Sequence, residues 1–534
     1  MKKNYVFGLS LALLLFASCT DELSVGDNAA KTKKLPSVSL TEDEIVSIAY
    51  DNVKELSVEN VTDIFKGFMK ASAEKTLGTR AVVPDAPIKV RSKCYIHQNG
   101  DNVLEATSEP VAKTRSGEAN VCEAPIYELE MENGADKAFA LVSGDPRAAK
   151  VLAFLPEADE ETFKNVNTQI MLAISKASLI EDIQKVEDVR NRLREQTLEK
   201  LGEKWGVDPA EIVYEDVVAA ITPENVKSST RGYQNGTFVD ESNVKYLEYF
   251  QDIQINSYVL PMGQIAWSQE KPYNRALPDE YVYVAGKPTM GKRIAGCGVI
   301  AIAEALAMIK PAAYFDGIMM NWDLVNAQEK CLENPVIPGL TNKNTPIETL
   351  IMVGRLVKSV YENTGSTPDY ETDPITGKRV NVASTMEAQK MLGYLRTKIQ
   401  CDDIRSWDPD VCKSSLDALH PVLVYGNIRV TYYNDKSGGT TEAFAGHAYN
   451  VDGYFITEKL SRQLVLTNDV YWHISLGWGP SARGFYKLGL DTKCNIICDY
   501  NTMKTRINIG ETGKVTINGQ TQDVTQYMIT NLRK

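Results

Sequence analysis

The sequence predicts an α+β protein of at least two globular units, and three observations lead to that class. A length of 534 residues exceeds what one ordinary domain uses, and 43% hydrophobic, 24% charged and 8% aromatic residues describe a folded chain with ample core. Segments with helical spacing of apolar residues alternate with short β-type runs bounded by turn signals. Between the two sets lies Ser228 to Asn243, a stretch rich in Ser, Thr, Gly and Asn that carries Arg231 and suits an exposed, cleavable linker.

The chain opens with Lys2 and Lys3, an apolar run from Val6 to Phe16, and the small residues Ala17-Ser18 before Cys19. That order predicts an export signal over residues 1–18. Leu15-Phe16-Ala17-Ser18-Cys19 is similar to a bacterial lipobox, with Phe16 a departure from the usual residue. The similarity implies that Cys19 is lipidated and becomes the new N-terminus, anchored stably by several acyl chains where one would be marginal. An ordinary cleaved signal with an incidental Cys is the alternative. Residues 19–39 then read as a flexible tether, poor in large apolar groups. The expected localisation is export and membrane anchorage, and Asp21-Glu22 soon after Cys19 is compatible with display at the cell surface.

Thr41-Glu42-Asp43-Glu44 is a capping box, and Ile45, Ile48, Ala49 and Val53 place one apolar face on the helix it opens. From Ala86 to Phe154 the pattern turns to short strands, including Ile126–Leu129, Ala138–Val142 and Val151–Phe154, which predict a small antiparallel sheet. Helical spacing resumes over residues 160–206 and weakens at Gly202 and Gly206. Beyond the linker, helices are expected after Cys297 and from Ile347 to Glu362, then turn-separated strands from Val422 to the C-terminus. The resulting division is 40–228 for the first unit, 229–257 for the linker region and 258–534 for the second.

A net charge of −12 and the absence of a basic stripe argue against nucleic-acid phosphate as a partner. After the signal, no stretch approaches the ~18 apolar residues of a membrane span. The nine cysteines show no Cys-x-x-Cys spacing, so a zinc site is not expected. Cys401/Cys412 and Cys494/Cys498 are spaced for local bridges, with connectivity open.

Four histidines limit any nucleophile–imidazole pair: His97 in the first unit, His420 at a strand entry before Pro421, His447 and His473. His447 follows Ala445-Gly446 and precedes the alternating run Ala448-Tyr449-Asn450-Val451, a pattern that sets an imidazole on a strand edge beside small residues. Cys297 lies between Gly296 and Gly298, ahead of a nearly all-apolar run from Val299 to Ile309. A thiol at a helix N-terminus meets free N–H groups and the positive dipole end, which favour thiolate and can also hold an oxyanion. A buried, inert cysteine is the other reading of the same spacing.

Four segments occur in one order: Trp267-Ser268-Gln269-Glu270-Lys271-Pro272-Tyr273-Asn274, Ala295-Gly296-Cys297-Gly298, Gly446-His447-Ala448 with Asp452-Gly453-Tyr454, and Gly477-Trp478-Gly479 with Gly484-Phe485-Tyr486. This order resembles the streptopain family of papain-like cysteine peptidases, and Phe139 to Asp145 with Arg147 resembles that family's propeptide. The resemblance implies a papain-like catalytic domain, with a helical part and an antiparallel sheet part, behind a small α+β inhibitory pro-domain. It implies Cys297 as nucleophile, His447 as base and Gln269 as the side-chain donor of the oxyanion hole, acting on polypeptides without metal or organic cofactor. Where the family places Asn and an aromatic before Gly-Trp-Gly, this chain has Ser475 and Leu476, and Pro480 replaces a Gly. Ser475 is then the candidate for orienting His447, though shorter than Asn. A catalytically impaired surface-binding homologue, or a cysteine amidase or acyltransferase, are the rival expectations.

Overall fold

The computed structural model describes residues 35–50, 54–74, 86–98, 103–110, 122–133, 136–220, 226–227, 253–284, 286–332, 345–434, 439–460, 466–480, 483–488, 494–500, 503–509, 513–517, 520–524 and 526–534. The export signal, Cys19, most of the tether and the Ser228 to Asn243 linker lie outside them. Among the described residues no helix is long and apolar enough to cross a membrane.

The architecture is α+β, with antiparallel pairing dominating the sheets. In the first unit the capping box forms as expected: Thr41 Oγ1 accepts from the Glu44 N–H at 3.2 Å, and Glu44 Oε2 accepts from the Thr41 N–H at 2.8 Å. Such reciprocal bonds satisfy two N–H groups that a helix start leaves orphaned. The helix Val58–Glu74 buries Val61, Ile64, Phe65 and Phe68 on one stripe. The residues expected to be helical over 160–206 divide into a short turn, Glu160–Lys164, and one 40-residue helix, Val166–Trp205. That helix runs through Gly202, where a side chain would press on Pro209 and the Val207 carbonyl. Gly206 ends it with φ +65°.

The strand series 88–98, 122–133, 136–143 and 151–155 forms the expected antiparallel meander. It does not stop at the unit boundary. Val151–Leu155 pairs antiparallel with Gly484–Tyr486 of the second unit, Phe154 facing Phe485 and Ala153 facing Tyr486. The sheet continues through Leu466–Ser475 and Gly439–Leu460 to Ile253–Val259. Phe68 of the first unit packs its ring 5.4 Å from Phe455 and 5.2 Å from Tyr471 of the second, so the apolar core also crosses the boundary. Tyr471 donates its hydroxyl to the Val151 carbonyl at 2.8 Å.

A buried ionic cluster completes this junction. Lys150 Nζ lies 2.7 Å from Asp469 Oδ1 and 3.0 Å from Asp182 Oδ2, and Lys487 Nζ lies 2.8 Å from the same Asp182 oxygen. Burial alone would lower Lys150, yet the two carboxylates overcome it and hold the ammonium above its ordinary value. Burial would likewise raise Asp182, but the two lysines pull it well below the carboxylate range.

A separate core in the second unit surrounds the helix Cys297–Ile309, which is buried along nearly its whole length, with Ile347–Asn363 and Ala388–Arg396 packed about it. Cys401 and Cys412 are both free thiols, so the local bridge that their spacing allowed does not form. The Cys494/Cys498 alternative falls outside the described side chains.

Candidate active site

Cys297 is the first residue of its helix, and the turn that delivers it is set by Gly296. That residue has φ +90°, and a Cβ there would run into the Ser384 carbonyl. The thiol is half-buried. Ala448 donates its backbone N–H to Cys297 Sγ at 3.4 Å, and the Gly446 carbonyl lies 3.9 Å from the same sulfur. The helix start thus abuts the backbone of the residues on either side of His447.

The imidazole itself turns elsewhere. Strand alternation sends Ala448 and Asn450 toward the Cys297 helix, where Asn450 Nδ2 donates to the Ala301 carbonyl at 2.8 Å. His447 falls on the opposite face with Tyr449, the two rings 6.3 Å apart and inclined by 20°. His447 Nε2 bonds the Leu476 carbonyl at 3.0 Å. A carbonyl only accepts, so Nε2 carries the proton and Nδ1 is the free lone pair of the neutral ring. Burial lowers the His447 pKa to about 4, partly offset by the Leu476 bond, and burial raises the Cys297 thiol despite the Ala448 N–H. Both groups are therefore neutral near pH 7 in this state.

Gln269 is buried, and its backbone carbonyl accepts from Ala295, which immediately precedes Gly296. The surrounding motif explains itself locally. Asn274 Nδ2 donates to the Lys292 and Arg293 carbonyls at 3.3 and 2.9 Å, tying its turn to the approach into Cys297. Gly479 donates to the Trp267 carbonyl at 2.8 Å and Ser268 bridges Trp478, so the Gly477-Trp478-Gly479 segment holds the Gln269 segment from the other side.

Ser475 does not bond His447 here. Its hydroxyl donates to Glu304 Oε2 at 3.0 Å, because strand alternation places it on the face of the Cys297 helix, opposite the imidazole. The group on the imidazole is instead the backbone of the next residue, Leu476. Two of the other histidines are used in the scaffold: His473 Nδ1 meets Asp452 Oδ1 at 2.5 Å, and His420 Nδ1 meets Asn531 Oδ1 at 3.3 Å at the strand entry.

Glu304 and Asn450 were missed as site candidates. Glu304 had a signal: it is the lone charge in the apolar run from Val299 to Ile309. Tyr425 is the third addition, its hydroxyl filling the space that a Gly446 side chain would need beside Cys297.

Residues 267–486 match the Peptidase C10 family, a span holding Gln269, Cys297, His447 and Ser475. No curated protein matches the chain. Among solved structures, a mutant fragment of Prevotella intermedia prointerpain A is similar at 15% identity and a TM-score of 0.34, covering 71% of this chain and 94% of that one. Over residues 267–486 the chain matches the Peptidase C10, or streptopain, family, and it is a cysteine-type peptidase.

Proposed function

We propose that the chain is the exported, lipid-anchored precursor of a cysteine endopeptidase, with Cys297 as nucleophile, His447 as base and Gln269 as oxyanion donor. The observation that carries this reading is the contact of Cys297, at a helix start, with the backbone on both sides of His447. His447 Nδ1 takes the thiol proton, and the thiolate attacks the peptide carbonyl carbon. The oxyanion is held by the Cys297 N–H and the Gln269 amide, where loss of one donor costs on the order of 10² to 10³ in rate. The imidazolium then protonates the leaving amine, and water, activated by the same ring, hydrolyses the thioester.

The described state is the resting one in this reading. Thiol and imidazole are neutral and face different sides of the strand, so catalysis requires the Gly446–His447 backbone to turn the ring toward the sulfur. The first unit acts as the pro-domain, and cleavage in the Ser228 to Asn243 linker licenses that turn. Export and lipidation at Cys19 rest on the sequence signal alone.

Hydrolysis of a casein-type substrate, measured before and after limited proteolysis, tests the scheme. Activity is expected to rise on processing and to vanish in Cys297→Ala and His447→Ala. Equal activity of intact and processed chains would sink latency. One observation favours a second reading: Ser475 is engaged by Glu304 and, among the described residues, no side chain hydrogen-bonds His447, as a binding homologue that has lost catalysis would have it. Iodoacetamide separates the two, since rapid labelling of Cys297 in the processed chain supports the enzyme and labelling no faster than the other thiols supports the binder.

A further inference from the structure

Glu304 sits on the Cys297 helix two turns beyond the thiol and is 1% exposed. Its Oε1 accepts the Trp267 N–H at 2.9 Å, and its Oε2 accepts from Ser475 Oγ at 3.0 Å and Asn450 Nδ2 at 3.4 Å. All three donors are buried. Each belongs to a different segment of the site. Trp267 leads into Gln269, Asn450 lies just past His447 on the same strand, and Ser475 precedes the Leu476 carbonyl that holds the imidazole.

We propose that Glu304 is a positioning residue for the peptidase chemistry, its carboxyl fixing the Gln269 segment, the His447 strand and the Leu476 carbonyl against the Cys297 helix. The inference rests on the assignment of Cys297 and His447 given above. The physical argument is one of satisfaction. An apolar side chain at this position would leave three buried donors short of an acceptor, at ~1–3 kcal/mol each, and would free three segments to shift independently. A displacement of about 1 Å in a reacting group can cost ~10²-fold in rate, so small slack here reads out in turnover.

The same group gives the site a titration. Burial raises the Glu304 pKa to about 7, against the pull of the Trp267 N–H, the Ser475 hydroxyl and Arg483, with Asp452 pushing further up. The other ionisable groups packed nearby are His473, paired with Asp452, and Tyr273. As pH rises through 7 the carboxylate becomes the stronger acceptor for all three donors. The pH profile should therefore carry a step near 7 that Glu304→Gln lacks.

The test measures kcat and KM from pH 5 to 9 on proteolytically processed chain, together with the rate of Cys297 alkylation by iodoacetamide. Glu304→Ala is expected to lower kcat by roughly 10- to 100-fold, KM moving less than about 2-fold, and to slow alkylation. Glu304→Gln retains an acceptor for Trp267 and is expected to recover most of that loss while flattening the step. Ser475→Ala should fall between them. Should Glu304→Ala retain wild-type turnover per alkylatable Cys297 while melting lower, the residue is scaffold only and the inference fails. Should Glu304→Ala fail to fold, wild-type pH profiles and alkylation rates in both Glu304→Gln and Ser475→Ala overturn it. Hydrolysis surviving in Cys297→Ala would instead overturn the underlying assignment, whatever Glu304 does.

Discussion

At the junction of the two units, Lys150 and Lys487 meet Asp182 and Asp469, and two cations cancel two anions within hydrogen-bond distance. Beneath Cys297, Glu304 is as deeply buried, but among the described residues its hydrogen bonds come from neutral donors, Arg483 acts on it only through longer-range attraction, and its pKa is about 7. In the first cluster Lys150, Asp182 and Asp469 stay ionised at every physiological pH. The second gains or loses a proton in that range. Opposite charges in close contact make the junction strong and insensitive, whereas a lone carboxyl among hydrogen-bond donors makes the site adjustable.

Breaking the junction should have the largest effect. Asp469→Ala leaves two buried ammonium groups sharing one carboxylate, and a loss of about 3–5 kcal/mol is expected in denaturant unfolding of the full chain. Replacing Lys150 by Met and Asp469 by Leu together should cost less than the two single changes summed, since no buried charge is then abandoned. A double variant costing the full sum would show that Lys150 and Asp469 are not energetically coupled.

Next in size is the pH response. His447 has a folded pKa of about 4 against 6.5, so the stability it contributes is present above pH 6.5 and is lost as pH falls toward 4. Glu304 runs the other way: with a folded pKa of about 7 against 4.5, its contribution is full below pH 4.5 and lost as pH rises through 7. Each window is worth up to about 3 kcal/mol. Thermal melts of Glu304→Gln and wild type should therefore diverge above pH 7 in favour of the variant and converge near pH 5. Parallel curves across that range would remove Glu304 from the titration.

The smallest effect concerns a single bond far from both clusters. Thr41→Ala should cost about 1 kcal/mol, by loss of the cap, with no change in turnover.

What the sequence revealed followed from how local each cause is. The Thr41–Glu44 box, the helix after Cys297 and the meander from Ile88 to Leu155 depend on residues a few positions apart, and each appears where its pattern places it. The ordered motifs around Gln269, Cys297 and His447 were legible for the same reason. The partner of Ser475 was not, because it turns on which face of a strand meets which helix, a matter of pairing register between distant segments. The direction of the His447 ring depends on the same register. The continuity of the sheet across the two units was equally hidden, since nothing near Phe154 announces Phe485.

That continuity bears on how the protein can be handled. A shortened chain beginning at residue 258 would keep the whole of Gly484–Tyr486 but lose the strand beside it, leaving an unpaired edge. Phe455, Tyr471 and Phe485, now packed by the Val58–Glu74 helix and its sheet, would meet water beside that edge. An open strand flanked by three aromatic rings is a template for self-association. The isolated peptidase domain should accordingly precipitate or pair with itself at concentrations where the full-length protein stays monodisperse.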